Sequence, residues 1–181
     1  GITLWETNAA ILSERLRALG YPATSGFHHE ALRLPDGRIL LLAGVEQRVP
    51  ELDNKNVMGD MIIVVDQEMN IHWVWNSFDH MDVKKEAILG ELCLNNGACP
   101  PVFDGGVATD WLHTNSVQHT SDGNLLLSVR HLDLAVKIDY QDGYGTGAVL
   151  WRLGKDGDFQ IDSTDPYPWF SHQHDVGFLP G

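Results

Sequence analysis

Apolar and polar positions alternate in short blocks along most of the chain, and the blocks recur. "LPDGRILLLA" (34–43) and "TSDGNLLLSV" (120–129) are near copies, each a polar Asp-Gly turn followed by an apolar run. Asp-Gly between two strand-like runs signals a β-hairpin. Each copy leads to an apolar run ending in Asp, "MIIVVD" (61–66) and "LAVKID" (134–139). Each of those leads to a run carrying Trp, "NIHWVW" (70–75) and "GAVLWRL" (147–153). The unit is therefore four strands long, and the pattern predicts one unit over 27–75 and a second over 111–153. Residues 76–110 form an insertion between them.

Both chain ends fit the same repeat. "ITLW" (2–5) resembles the last strand of a unit, and "HQHDVGFLPG" (172–181) resembles the first strand seen in "HHEALRLPDG". The tail of one unit is thus expected over 1–5 and the start of another over 170–181. Four-stranded units repeated in this way are the signature of an all-β β-propeller. Propellers close with about four to eight blades, so two units and two stubs predict a fragment of one longer propeller domain. Helices are expected only as short insertions between blades. "TNAAILSERLRALG" (7–20) has an N-cap in Thr7 or Asn8, an apolar stripe and a Gly20 stop. "MDVKKEAILGELC" (81–93), capped by Asp82, predicts a second helix.

Charge and cysteines narrow the partners. Twelve Lys and Arg stand against 25 Asp and Glu, a net charge of −13, with no basic cluster. That argues against nucleic acid and anionic membrane surfaces. There is no apolar run of about 18 residues, so no membrane insertion is expected. Cys93 and Cys99 flank a loop able to close a small disulfide, with two free thiols as the alternative. The spacing matches no common zinc pattern.

Candidate chemistry gathers on the predicted first strands. Aligned on the turn, Asp36, Asp122 and Gly181 share one repeat position, and seven residues upstream lie His29, Asn115 and His174. First strands line the central channel of a propeller, so these positions converge on one axis. His28 is adjacent to His29, and the alignment selects His29. A period of two predicts His113 and Asn115 on one face, and likewise His172 and His174. "SVRH" ends the next strand with Arg130 and His131. Arg130 becomes a candidate anion clamp beside the three histidines. His72, His80 and His119 read as structural, and Trp75 and Trp151 as blade packing. Three alternatives stay open on residues alone: a catalytic site, a three-histidine metal site of His29, His113 and His174, and a non-catalytic binding scaffold.

"DWLHTNSVQHTSDGNLLLSVRH" together with "SHQHDVGFLPG" resembles the arylsulfate sulfotransferase family, bacterial six-bladed propellers, over about 28–181. The resemblance implies transfer of a sulfuryl group from an aryl sulfate to a phenolic acceptor without phosphoadenosine phosphosulfate or any other cofactor. It implies His174 as the nucleophile that becomes a sulfohistidine, with His113, His29 and Arg130 as further catalytic residues. Asn115 and His172 are substrate-binding candidates. The partners it implies are small molecules, an aryl sulfate donor and a phenolic acceptor; it permits a homodimer, and the family is exported, to the periplasm or beyond. No metal is implied.

Overall fold

The computed structural model describes residues 6–96 and 99–179. The blade tail expected over 1–5 lies outside them, as do Pro180 and Gly181. The chain is mostly β, built on two four-stranded antiparallel meanders. The first comprises β1 (Thr24–Arg33), β2 (Ile39–Val49), β3 (Lys55–Val65) and β4 (Ile71–Asn76). A short α2 (Ser77–His80) and two small strands, β5 (Leu92–Leu94) and β6 (Val107–Asp110), follow. The second meander comprises β7 (Thr114–His119), β8 (Leu125–Val129), β9 (Leu134–Ile138) and β10 (Val149–Gly154). β6 joins the first sheet by parallel pairing with the start of β3, Met58 opposite Asp110.

Local sequence accounts for this order. Both Asp-Gly hairpins close as predicted: Leu34 and Arg38 bracket one three-residue loop, Thr120 and Asn124 the other, with Gly37 at φ +90° and Gly123 at +76°. A side chain there would be strained, which is why glycine follows each Asp. "MIIVV" is apolar at every position because β3 is covered on both faces. Ile62 and Val64 join Leu40, Leu42 and Trp75 in a core shared with Leu125, Leu127, Val136 and Ile138 of the second sheet. Met61, Ile63 and Val65 face the other way, onto Leu12 and Leu16 of α1 (Ala9–Ala18). Fully burying one such side chain contributes about 1.5–3 kcal/mol, so this shared core joins the sheets. Trp73 and Trp75 add polar ties, their indole N–H groups donating to Gly145 and Gly147 carbonyls at 3.0 Å.

α1 forms where its pattern predicts, with the Asn8 side chain accepting from the Ile11 amide at 3.0 Å. The helix expected over 81–93 does not form. Asp82 instead accepts from the Lys84 amide, a local turn that competes with helix. Downstream, the Ile88 amide donates to the His131 carbonyl and Lys85 receives the Trp111 indole. The backbone groups are spent on the second sheet, and the stretch ends as strand β5. Among the described residues of 170–181, no ladder pairing forms. The segment lies extended along β7, held by side chains.

Candidate functional site

The site begins with an irregularity in β1. Phe27 pairs with Ala43 and Ala31 with Leu41, so His28, His29 and Glu30 together oppose Leu42. Such a bulge bends a strand and re-aims its side chains. His29 sits at its centre with φ +51°. His113, immediately before β7, has φ +49°, and His172 has φ +52°. Left-handed backbone at a non-glycine residue costs about 1–3 kcal/mol and persists where surrounding structure holds it. All three first-strand segments therefore carry a histidine in the same unusual conformation.

This corrects the strand alternation expected from sequence. His113 and Asn115 do not share a simple strand face, because a left-handed residue and a register shift between Thr114 and Ser116 intervene. His172 and His174 likewise share no strand face, because His172 is left-handed and its segment joins no ladder. The His172 amide donates to Asp133 at 2.7 Å and its Nδ1 lies 2.6 Å from Ser171 Oγ. His174 is exposed and its ring faces His29, centroids 5.8 Å apart.

The His29 ring lies 5.3 Å from that of His113, and the His113 ring 4.6 Å from that of His131. Residues from three distant segments therefore meet. Beside His29 and His113 is a cavity of about 300 Å³. His28, His29, His113, Asp60 and Asp110 line one side, and Phe27, Met58, Pro100 and Pro101 contribute an apolar side. Cys93 and Cys99 form a disulfide directly before that proline pair.

Two buried carboxylates act on the histidines. Asp60, on β3, accepts from the Thr114 amide of β7 at 2.7 Å and lies 3.3 Å from His28 Nε2. That second contact has ion-pair distance without hydrogen-bond alignment. Burial is the largest single influence on Asp60 and opposes ionisation, yet His28 and Thr114 together hold it below the usual carboxylate range. His28 Nδ1 lies 3.0 Å from His29 Nδ1, a contact that requires one proton between them. An N–H at His28 Nε2 suits the Asp60 carboxylate, so we infer that His29 Nδ1 donates and His29 Nε2 carries a lone pair. Burial, followed by the neighbouring imidazoles of His28, His113 and His174, which disfavour a charge on it, pushes His29 below the ordinary histidine value. His113 moves the other way: the hydrogen bond from its Nδ1 to Asp110, 2.6 Å long, raises it.

Arg130 opens a 3-10 turn after β8, with Nη1 2.7 Å from His131 Nε2 and 3.6 Å from Glu91. Asn115 is buried, and its Nδ2 donates to the Gln173 carbonyl at 2.9 Å. Ser116 and Gln118 accept from the amides of Val176 and Phe178. These contacts hold the segment that carries His174.

Asp60, Asp110, Glu91, His28 and His131 escaped the sequence reading as functional groups. A signal existed for two. "VPELD" (49–53) and "VRHLD" (129–133) share Val-x-x-Leu-Asp, and both fold as a 3-10 turn ending in a left-handed Asp. That repeat marks Arg130 and His131 as a structured corner. "ATDWLH" places Asp110 three residues before His113, but only the fold shows that the two meet.

Among the described residues, Glu91, Asp110, His113 and His131 bring potential ligand atoms within 4.8 Å of one another. Arg130 already occupies the Nε2 side of His131, and a guanidinium repels a cation. The trio of His29, His113 and His174 that the metal-site alternative would need is not among the clusters found in the described residues.

The model for the arylsulfotransferase (ASST) family matches residues 12–180. The chain is also similar to an arylsulfate sulfotransferase, AssT, of Escherichia coli O6:H1 (strain CFT073), at 27% identity over 124 residues. That match covers 57% of this chain and 21% of the relative. On the family match, which takes in the bulge, the corner and the histidine-bearing segment alike, the chain belongs to the arylsulfotransferase family.

Proposed function

We propose that this chain is part of a six-bladed β-propeller that transfers a sulfuryl group from an aryl sulfate to a phenol through a sulfohistidine. Its two meanders are two blades, and the first-strand histidines face the channel. The observation that carries the reading is the meeting of the His29 ring with the rings of His113 and His174, beside a cavity with an apolar side that His29 and His113 line. The donor ring packs against Phe27, Met58 and Pro101, and Arg130 receives the sulfuryl oxygens. A guanidinium in a shielded site stabilises charge spread over three oxygens.

His174 attacks sulfur through a neutral ring nitrogen. A nitrogen–sulfur bond forms as the bond from sulfur to the phenolic oxygen breaks. His113 gives its proton to the departing phenolate. The acceptor phenol then attacks the same sulfur, the nitrogen–sulfur bond breaks, and His113 takes the acceptor's proton. One group serves both half-reactions, as reversibility requires of two phenols using one site. The Cys93–Cys99 disulfide supports an oxidising compartment, the periplasm or the exterior.

The test is His174→Ala in the complete polypeptide, with a chromogenic aryl sulfate as donor. Transfer is expected to be lost. The unaltered protein, incubated with donor alone, should gain about 80 Da, one SO₃, on the His174 peptide. Normal turnover in the variant overturns the assignment of the nucleophile.

A further inference from the structure

Asp110 presents two acceptors in different directions. Its side chain takes the His113 Nδ1 hydrogen bond at 2.6 Å, and its carbonyl lies 2.8 Å from His131 Nδ1. Asp110 is itself fixed, its amide donating to the Glu91 carbonyl at 2.9 Å and its strand paired with Met58 of β3. The next residue repeats the anchoring, the Trp111 amide donating to the Met58 carbonyl. A carboxylate held on both sides is a rigid reference point.

His131 is fully buried, with a hydrogen-bond partner at each ring nitrogen. A main-chain carbonyl only accepts, so His131 Nδ1 carries the proton. Arg130 Nη1 only donates, so His131 Nε2, 2.7 Å away, carries the lone pair. Glu91 completes the corner, with one oxygen 3.2 Å from His131 Nε2 and the other 3.6 Å from Arg130 Nη1. The His131 amide donates to the Leu112 carbonyl, which ties the corner to the residue before His113. The two side chains that handle the proton and the anion are thus referred to one point on β6.

We infer that Asp110 and His131 are positioning residues, Asp110 orienting His113 through its carboxylate and His131 orienting Arg130 through its Nε2 lone pair. This rests on the sulfuryl-transfer reading for its catalytic consequence and not for its geometry. With Nδ1 held by Asp110, His113 presents only Nε2 to a substrate oxygen. With Nη1 held by His131, Arg130 keeps its other nitrogens for a sulfuryl group. The charged and titratable groups facing His113 are Asp110, Asp60, Glu91, Arg130, His29 and His131. Asp110 is the strongest of them, and it favours the protonated ring that the first half-reaction needs.

The experiment uses the complete polypeptide with ¹⁵N-labelled histidine and three variants, Asp110→Asn, His131→Gln and His131→Phe. In Asp110→Asn, the His113 ring should titrate lower by about one pH unit, the smaller end of a carboxylate's effect on a neighbour. The alkaline limb of kcat/KM for an aryl sulfate should move down by the same amount. In His131→Phe, the inhibition constant of inorganic sulfate should rise about tenfold, as expected for losing one charge-assisted contact. His131→Gln should restore most of it, because a carboxamide can both accept from Arg130 and donate to the Asp110 carbonyl. In the unaltered protein at neutral pH, His131 should show the Nδ1–H tautomer. An unmoved His113 titration in Asp110→Asn overturns the first role. An Nε2–H tautomer, or equal sulfate inhibition in His131→Phe, overturns the second. If the unaltered protein transfers no sulfuryl group, the functional reading fails, while the ring titration and the tautomer still decide the positioning.

Discussion

Replacing Asp60 by alanine tests how the two sheets are held around the site. Asp60 is 4% exposed and lies on β3, yet its carboxylate accepts the Thr114 amide of the neighbouring sheet at 2.7 Å. Truncation leaves that buried N–H without its partner, which costs about 1–3 kcal/mol. It also removes the carboxylate 3.3 Å from His28 Nε2, a nitrogen with no hydrogen-bond partner among the described residues. Together these give a loss of about 3 kcal/mol, the upper end for leaving buried polar groups without partners. Asp60→Asn keeps an acceptor for Thr114 and should lose about 1 kcal/mol, the worth of an ordinary hydrogen bond.

The pH dependence follows in sign. The Asp60 carboxyl is held below its usual range in the folded state. Its stabilisation is therefore present above the unfolded value of about 4 and is lost as pH falls through the lowered folded value. Urea unfolding followed by tryptophan fluorescence should show the Asp60→Ala midpoint lowered by roughly 1–3 M at pH 7, using m-values of about 1–3 kcal/mol/M. The gap from the unaltered protein should shrink in acid. A difference below about 0.5 kcal/mol at pH 7, the level of an ordinary surface substitution, refutes the bridge.

Two further outcomes are expected. A Cβ added at Gly44 would lie 2.7 Å from Ser25 Oγ and 2.9 Å from Pro100, so Gly44→Ala should push Pro100 toward the cavity. Steady-state kinetics should show KM for an aryl sulfate rising several-fold, with stability lower by about 1–3 kcal/mol. Dialysis against a metal chelator should leave turnover unchanged, because Arg130 holds the position a cation would need beside His131; recovery of activity only on adding zinc or copper would restore the metal-site alternative.

The meanders were legible because turn chemistry and apolar runs are local. "PDG" and "SDG" dictate three-residue hairpins, and "MIIVV" is apolar enough to be covered twice. The insertion was not legible, since "MDVKKEAILGELC" has fair helical spacing and only the second sheet offers its amides better partners. At the site, repeat registration pointed to His29, Asn115 and His174, two of which meet there. It missed that the bulge in β1 brings His29 into the backbone conformation of His113 and His172. Two extra residues facing Leu42 have no turn residue or glycine to announce them. Nothing in the sequence marked Asp60 and Asp110 as buried, because burial against another sheet is a property of the fold.

The left-handed backbone shared by His29, His113 and His172 also governs which substitutions these positions tolerate. Asparagine, aspartate and glycine occupy that region more readily than alanine, and β-branched residues scarcely at all. An alanine at His29 or His113 therefore removes an imidazole and strains the loop in one step, and lost turnover would report both. Asparagine keeps the backbone shape and discards the ring, so it separates the two contributions. The same preference restricts the variation such a protein could accumulate at these positions, even after the imidazole's chemistry had become dispensable.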